Sequence, residues 1–212
     1  YSRFFMRALK TIKTINIKEP FSSLQTQGMV CHQTYSTEDK KWLYPKEVIK
    51  DNNNFFHVDT NKPVIVGRTE KMSKSKKNVV DPQEIISNFG ADTARFFMLS
   101  DSPPNRDMEW SDAGIDGSWR FLSKLWKFVQ NININKNNQK LPKDLSQPNK
   151  DLLRVLNVRI NEITQSIDDF HFNNAVASIR SLLNSIMSYK IINETDNDVV
   201  LYTIKKFLIL IN

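Results

Sequence analysis

From residue 111 to the end of the chain, apolar side chains recur at steps of three and four, so each segment must bury one stripe against another helix. Ser111 can cap a helix running to about residue 132. In it, Ile115, Trp119, Leu122, Trp126 and Val129 form one stripe, and Phe121, Leu125 and Phe128 form a second beside it. Two stripes predict burial on more than one side, and place Trp119 and Trp126 in the predicted core. Residues 133–150, "NINKNNQKLPKDLSQPNK", have the composition of an exposed connection. Beyond them, Leu152, Leu156, Ile160, Ile163 and Ile167 mark one helix, and Val176, Ile179, Leu183 and Ile186 another. Ile204, Phe207 and Leu208 begin a further one. The pattern predicts an antiparallel helical bundle over 111–212.

The preceding residues mix strand and helix signals. Residues 3–15, "RFFMRALKTIKTI", place Phe4 or Phe5, Leu9 and Ile12 or Ile15 on a helical stripe. A strand is predicted around Met29 and Val30, with Gly28 at a turn or at a close approach to the backbone. The polar stretch 36–61 predicts a small irregular insertion with a hairpin, its β-like pieces "KWLY" and "FFHV" split by "DNNN". "KPVIVGRT" predicts a strand closed by Gly67. "VVDPQEIISNFG" carries a helix start, with Asp81 as cap, Pro82 at the first helical position and Glu84 placed to reach back, and Gly90 as the stop. "ADTARFFMLS" is a second short helix, broken by the double proline of "DSPPN". The fold class is therefore α/β up to about residue 90, a short connection, and an all-α part.

Composition narrows the function classes. At 212 residues the chain holds two modest domains, or one and part of another. The net charge of +7 points to anionic partners, whether nucleic acid, nucleotide phosphate or a membrane surface. No apolar run approaches the roughly 18 residues of a membrane span, and "YSRFFMRALK" is unlike a signal peptide, so a cytoplasmic protein is expected. Cys31 is the only cysteine, which excludes an internal disulfide and a zinc site built on several thiolates. His32 has no second ligand at metal spacing, and no metal site is expected.

The stretch "EKMSKSKKN", residues 70–78, sets Lys71, Lys74, Lys76 and Lys77 among Ser73 and Ser75, with only Glu70 nearby to cancel charge. Ammonium groups so close repel one another. A docking anion relieves that repulsion, and charge-assisted hydrogen bonds are about twice as strong as neutral ones. A strand running into a loop and then a helix places this loop at a sheet edge, where ligands bind. Without glycines it cannot wrap a phosphate with backbone amides as a Walker loop does. It is expected to reach with flexible side chains and to close on its ligand, which suits charge that develops during a reaction. On residues alone, a solvated charge run and a nucleic-acid-binding patch stay open beside that reading.

"KMSKS" at Lys71–Ser75 is identical to the signature loop of class I aminoacyl-tRNA synthetases. The stretch from Lys71 to Trp126 closely resembles the bacterial type of leucyl-tRNA synthetase, with "GADTARFFML", "SPP", "MEWSDAG" and "RFL" in that family's order and spacing. Upstream, "YSRFF" and "QGMV" resemble its catalytic domain, and downstream "FNNAVASIRSLLN" resembles its tRNA-binding helices.

The resemblance implies the C-terminal part of a Rossmann-like catalytic domain over 1–90, with the insertion at about 36–61 and the KMSKS loop at 71–75. A stem-contact connection follows over 91–110, then a truncated tRNA (anticodon)-binding bundle over 111–212. The implied activity is ATP-dependent conversion of L-leucine to leucyl-adenylate, then transfer to tRNA(Leu), by an enzyme that is a monomer at full length. Lys71 and Lys74 are the implied catalytic residues. Lys71, Met72, Ser73, Lys74 and Ser75 are the implied ATP site, with Mg arriving on ATP and no zinc site. Arg95, Arg106, Trp110, Lys124 and Lys127 are candidate tRNA contacts. Packing and a surface ion pair remain alternatives for the first three, and plain solvation for the two lysines.

The family's His-x-Gly-His type motif and its editing insertion are absent, as is its C-terminal portion. Tyr1 stands first, and "LYTIKKFLILIN" stops inside what reads as an apolar helix. The expectation is an internal piece of a longer enzyme, inactive alone. The isoleucyl, valyl and methionyl enzymes share the five-residue loop, but "KKNVVDP" and "SPPNRDMEWSDAG" favour leucine. A catalytically silent tRNA-binding module is the other alternative.

Overall fold

The computed structural model describes residues 1–52, 54–132 and 141–212, so part of the connection expected at 133–150 lies outside the described residues. The sheet is organised around β1 (Val30–Ser36). On one edge β1 pairs antiparallel with β5 (Ile65–Lys71), from Cys31 opposite Lys71 to Ser36 opposite Ile65. The other edge is shared. β2 (Trp42–Leu43) lies antiparallel to the end of β1, and β6 (Met108–Glu109) lies parallel to its start, with Val30 opposite Met108. The sheet is thus mixed. A separate hairpin joins β3 (Val48–Asp51) to β4 (Asn54–His57).

Two strand expectations change. "KWLY" and "FFHV" do not pair with each other: Trp42 and Leu43 join β1, while Phe55 and Phe56 pair with Lys50 and Ile49. The turn stands at "DNNN" as expected, entered through Asn52 at φ 53°, a left-handed conformation that Asn tolerates, but the strand that leads into it is Val48–Asp51. Gly67 lies inside β5, not at its end. A Cβ there would stand 2.3 Å from Thr34 Oγ1, whose hydroxyl donates to the Arg68 carbonyl at 3.0 Å. The residue is small because the neighbouring strand's side chain occupies the space.

The helix signals are met more closely. α1 (Ser2–Thr11) forms, but its stripe stays open, with Phe4 69% and Ile12 69% exposed. α2 (Pro82–Phe89) starts at Asp81, whose carboxylate accepts the Gln83 N–H at 2.9 Å, and stops at Gly90, φ 85°. α3 (Ala91–Ser100) follows at once. α4 (Asp112–Gln130) is capped by Ser111, which accepts the Gly114 N–H at 3.2 Å. α5 (Gln147–Asp168) begins inside the expected connection, because Ser146 and Pro148 supply a cap and a first-turn proline. α6 (Phe172–Ser188) and α7 (Glu194–Ile211) complete the bundle.

Two cores result. Leu125, Leu156, Ile163, Leu183, Val199 and Phe207 belong to the larger, which draws on α4, α5, α6 and α7, and each fully buried side chain of this kind contributes roughly 1.5–3 kcal/mol. Ile85, Phe97, Met108 and Ile115 form the smaller, so the first turn of α4 is anchored to α2, α3 and β6. Trp119 and Trp126, expected in the core, are instead 44% and 67% exposed. At about 100° per residue they stand roughly 100–120° around α4 from Leu125, on the edge of the stripe that faces away from the bundle. Ile167 and Leu208, the outer ends of their stripes, are likewise exposed.

A polar knot fastens the bundle. The Tyr189 hydroxyl lies 2.5 Å from Asn149 Oδ1 and 3.3 Å from Asp196 Oδ1, with Asn149 and Asp196 both buried. Asp196 Oδ2 accepts the backbone N–H groups of Ile192 and Asn193 at 3.0 and 3.3 Å. These bonds, the one from Ile192 foremost, hold the Asp196 carboxyl below the usual carboxylate range.

Gly28 resolves to a close approach: its N–H donates to the Pro104 carbonyl at 2.7 Å, and a Cβ would stand 2.0 Å from the Arg106 carbonyl oxygen. Gly28→Ala should therefore lower stability by about 1–3 kcal/mol, the scale of overpacking against backbone. A parent-like urea midpoint would contradict that contact. Because the Asp196 carboxyl is held low when folded, its contribution is present above the ordinary Asp pKa of about 3.9 and is lost as pH falls through the folded value. The stability difference between the parent and Asp196→Asn should shrink as pH is lowered from neutrality, measured by urea titration at each pH.

Candidate functional site

The basic loop leaves the sheet at Lys71, the last residue of β5, and stays attached to it: the Met72 N–H donates to the Val30 carbonyl at 3.0 Å. A turn over 74–77 follows, with the Lys77 N–H on the Lys74 carbonyl at 3.3 Å and Lys77 at φ 54°. The Ser73 hydroxyl accepts the Lys76 N–H at 3.4 Å and lies 3.3 Å from Ser75 Oγ. Ser73 and Ser75 thus act within the loop.

The four lysines divide into two pairs. Lys76 makes an ion pair with Glu70, and Lys77 holds its ammonium 5.0 Å from the centre of the Tyr44 ring. Lys71 and Lys74 are exposed and make no ion pair among the described residues. Lys74 lines a cleft of about 740 Å³ with His32, Tyr44, Lys46, Asp81 and Pro82. The first turn of α2 also lines it, with Pro82 lacking an N–H and the Gln83 N–H already taken by the Asp81 carboxylate. Asp81 and Glu84, at the cap and in the first turn of α2, and Asp112 also line this cleft, so carboxylates share it with Lys74 and Lys46.

Sequence reasoning missed Asn78, which is 0% exposed. Its Oδ1 accepts the Ser73 N–H at 2.9 Å. Its Nδ2 faces the carbonyls of His32 at 3.1 Å, Glu70 at 3.1 Å and Lys71 at 3.3 Å. The only sequence signal was an amide placed between the charge run and "VV". A loop expected to reach with flexible side chains and to close on its ligand is therefore cross-braced at its base.

The remaining candidates are dispersed. Arg95 pairs with Asp92 at 2.9 Å, both exposed. Arg106 is exposed, and its backbone meets Gly28. Trp110 packs edge-on to Phe97 at 5.3 Å and donates to Asp112 Oδ1 at 3.1 Å, so much of its surface is engaged in packing. Lys124 and Lys127 lie exposed on α4, and Lys127 lines a shallow pocket with Trp119, Trp126, Gly90 and Thr93. The His32 ring donates from Nδ1 to the Gln33 carbonyl at 2.9 Å. Burial first, then Asp107 and Glu109, pushes the Cys31 thiol up and keeps it protonated. No group of three or more His, Cys, Asp or Glu side chains among the described residues is arranged to hold a metal ion. No helix among them is long and apolar enough to cross a membrane.

The chain that carries this loop has counterparts among known proteins. The family model for class I tRNA synthetases (I, L, M and V) matches residues 47–111, from β3 through the basic loop to the cap of α4. The whole chain superposes on 23% of a LeuRS from Agrobacterium radiobacter, solved in a ternary complex with tRNA and LeuAMS, with a TM-score of 0.72 and 24% identity. Its fold is thus that of a region of class I tRNA synthetases. Within that class, it is 50% identical to a leucine-tRNA ligase of Paramagnetospirillum magneticum, over 88% of this chain and 22% of that protein. It is 45% identical to one of Rickettsia bellii, over 94% and 23% respectively. The chain is therefore homologous to one segment of leucine-tRNA ligases, and it spans somewhat over a fifth of the length of these relatives.

Proposed function

We propose that this chain is the segment of a cytoplasmic leucine-tRNA ligase that clamps the phosphates of ATP and carries part of the tRNA(Leu) surface. The observation that supports it most is the division of the lysines: the two with no ion pair, Lys71 and Lys74, stand at the end of β5 and over the cleft at the start of α2. In this reading residues 1–90 close a Rossmann-like catalytic domain, 91–110 form the stem-contact connection, and 111–212 belong to an anticodon-binding bundle. The 50% identity to a leucine-tRNA ligase supports leucine over isoleucine, valine or methionine.

Activation joins a leucine carboxylate oxygen to the α-phosphorus of ATP and breaks the bond to the leaving pyrophosphate. Negative charge then grows on the departing β- and γ-phosphates. Lys74 supplies a cation where that charge develops, and Lys71 assists from the strand end. The Met72 backbone, held on β1 by its hydrogen bond to Val30, flanks the adenine, and Ser73 and Ser75 shape the turn. Mg arrives on the ATP phosphates. Arg95, Arg106, Trp110, Lys124 and Lys127 are assigned to the tRNA side, with the exposed Lys124 and Lys127 as its phosphate contacts and the full-length protein as a monomer.

Leucine-dependent pyrophosphate exchange by the full-length enzyme containing this segment tests the reading. Lys74→Ala should slow exchange on the order of a hundredfold, about 2.7 kcal/mol of transition-state stabilisation, with leucine binding little changed. Undiminished exchange would falsify the role of Lys74.

A further inference from the structure

We infer that Asn78 is a positioning residue for the phosphate clamp: its buried amide sets the direction in which Lys74 leaves the sheet. This inference rests on the proposed function of the loop. Asn78 itself is not among the residues lining the cleft, and its amide is fully enclosed. Its contacts gather three separate stretches of backbone. Nδ2 meets β1 at the His32 carbonyl and the end of β5 at the Glu70 and Lys71 carbonyls, while Oδ1 takes the Ser73 N–H. Lys74 follows Ser73 directly, and the turn that closes on the Lys74 carbonyl through Lys77 ends at Asn78 itself.

Chemistry selects an amide here. The side chain must accept one hydrogen bond and donate to several carbonyls at once. Aspartate offers only acceptors and would set its charge against three carbonyl oxygens, whereas alanine takes away both the acceptor of the Ser73 N–H and the amide donor facing the carbonyls. The amide also does the work that glycine does in other phosphate loops, by holding a defined shape. Only Lys77 within the turn has a positive φ, and Lys77 is itself held over the Tyr44 ring.

The test is a double-mutant cycle in the full-length enzyme, read by the kcat of leucine-dependent pyrophosphate exchange. Asn78→Ala should lower kcat at least tenfold with the KM for leucine unchanged. In the Lys74→Ala background the same substitution should cost less than twofold, because the group it positions is gone. Asn78→Asp should be impaired at neutral pH and recover relative to the parent as pH falls, since the protonated acid regains a donor.

Additive losses in the cycle, or parent-like kcat in Asn78→Ala, would overturn the inference. If Asn78→Ala does not fold, Asn78→Asp carries the same cycle. Hydrogen exchange reads the brace apart from chemistry: the Ser73 amide should be protected in the parent and open in Asn78→Ala, and equal protection in both would reject it. If Lys74→Ala leaves exchange intact, the proposed function fails. If Lys74→Ala slows exchange but Asn78 variants do not, only the positioning role fails.

Discussion

A β-strand has two edges, and β1 uses both of them at its first two residues. Cys31 stands opposite Lys71 on one side and opposite Glu109 on the other. The exit of the basic loop and the approach to α4 are therefore two strand spacings apart, about 10 Å. Further backbone bonds reinforce the arrangement, from Met72 to Val30, from Met108 to Met29 and from Trp110 to Cys31. Gly28 brings the loop before β6 against the start of the same strand. The segments on which the candidate site depends thus share one short stretch of backbone, and displacing β1 would move all of them together.

The second fixed relation is between this sheet and the bundle. The Arg180 guanidinium on α6 lies 5.2 Å from the Phe96 ring centre on α3 and 5.3 Å from that of Phe121 on α4. The two rings are stacked at 4.9 Å and 9°. Burial lowers the Arg180 pKa, yet guanidinium remains charged, and a cation facing aromatic rings in a partly dry site contributes on the order of 0.5–2 kcal/mol. Ile115 acts in the same direction from the apolar side, tying the first turn of α4 to α2 and α3. Rotation of the bundle against the loop-bearing part would break both contacts.

The helices were legible in the sequence because their signals are local. Asp81 with Pro82, Ser111 and the double proline each act within a few residues, and α2, α3 and α4 begin or end where those signals stand. What failed was long-range. Periodicity gives a stripe but not its direction, so the apolar side of α4 was read correctly while Trp119 and Trp126 were placed on the wrong flank of it. Strand pairing was missed for a related reason: "KWLY" and "VIKD" are both β-like, and the position of the turn at Asn52 decides which of them meets "FFHV". At the site the lysines are visible as a run, but Asn78 is not, since its role depends in part on the His32 carbonyl of β1, 46 residues away in the chain.

The charge run is also less uniform than its letters suggest, and the division has a physical basis. Neither Lys76 nor Lys77 can leave its position freely, because Asn78 fixes the backbone beside them and Glu70 and Tyr44 receive their ammonium groups. The Lys76–Glu70 pair is more than a third exposed, so it contributes at most about 1 kcal/mol. Its larger effect is electrostatic: it neutralises one of four cations and lowers the repulsion that would otherwise splay the loop. What is left is a tethered base carrying two ammoniums, Lys71 and Lys74, three residues apart. The backbone that carries them is held through Met72, Ser73 and Asn78, while their own side chains stay exposed.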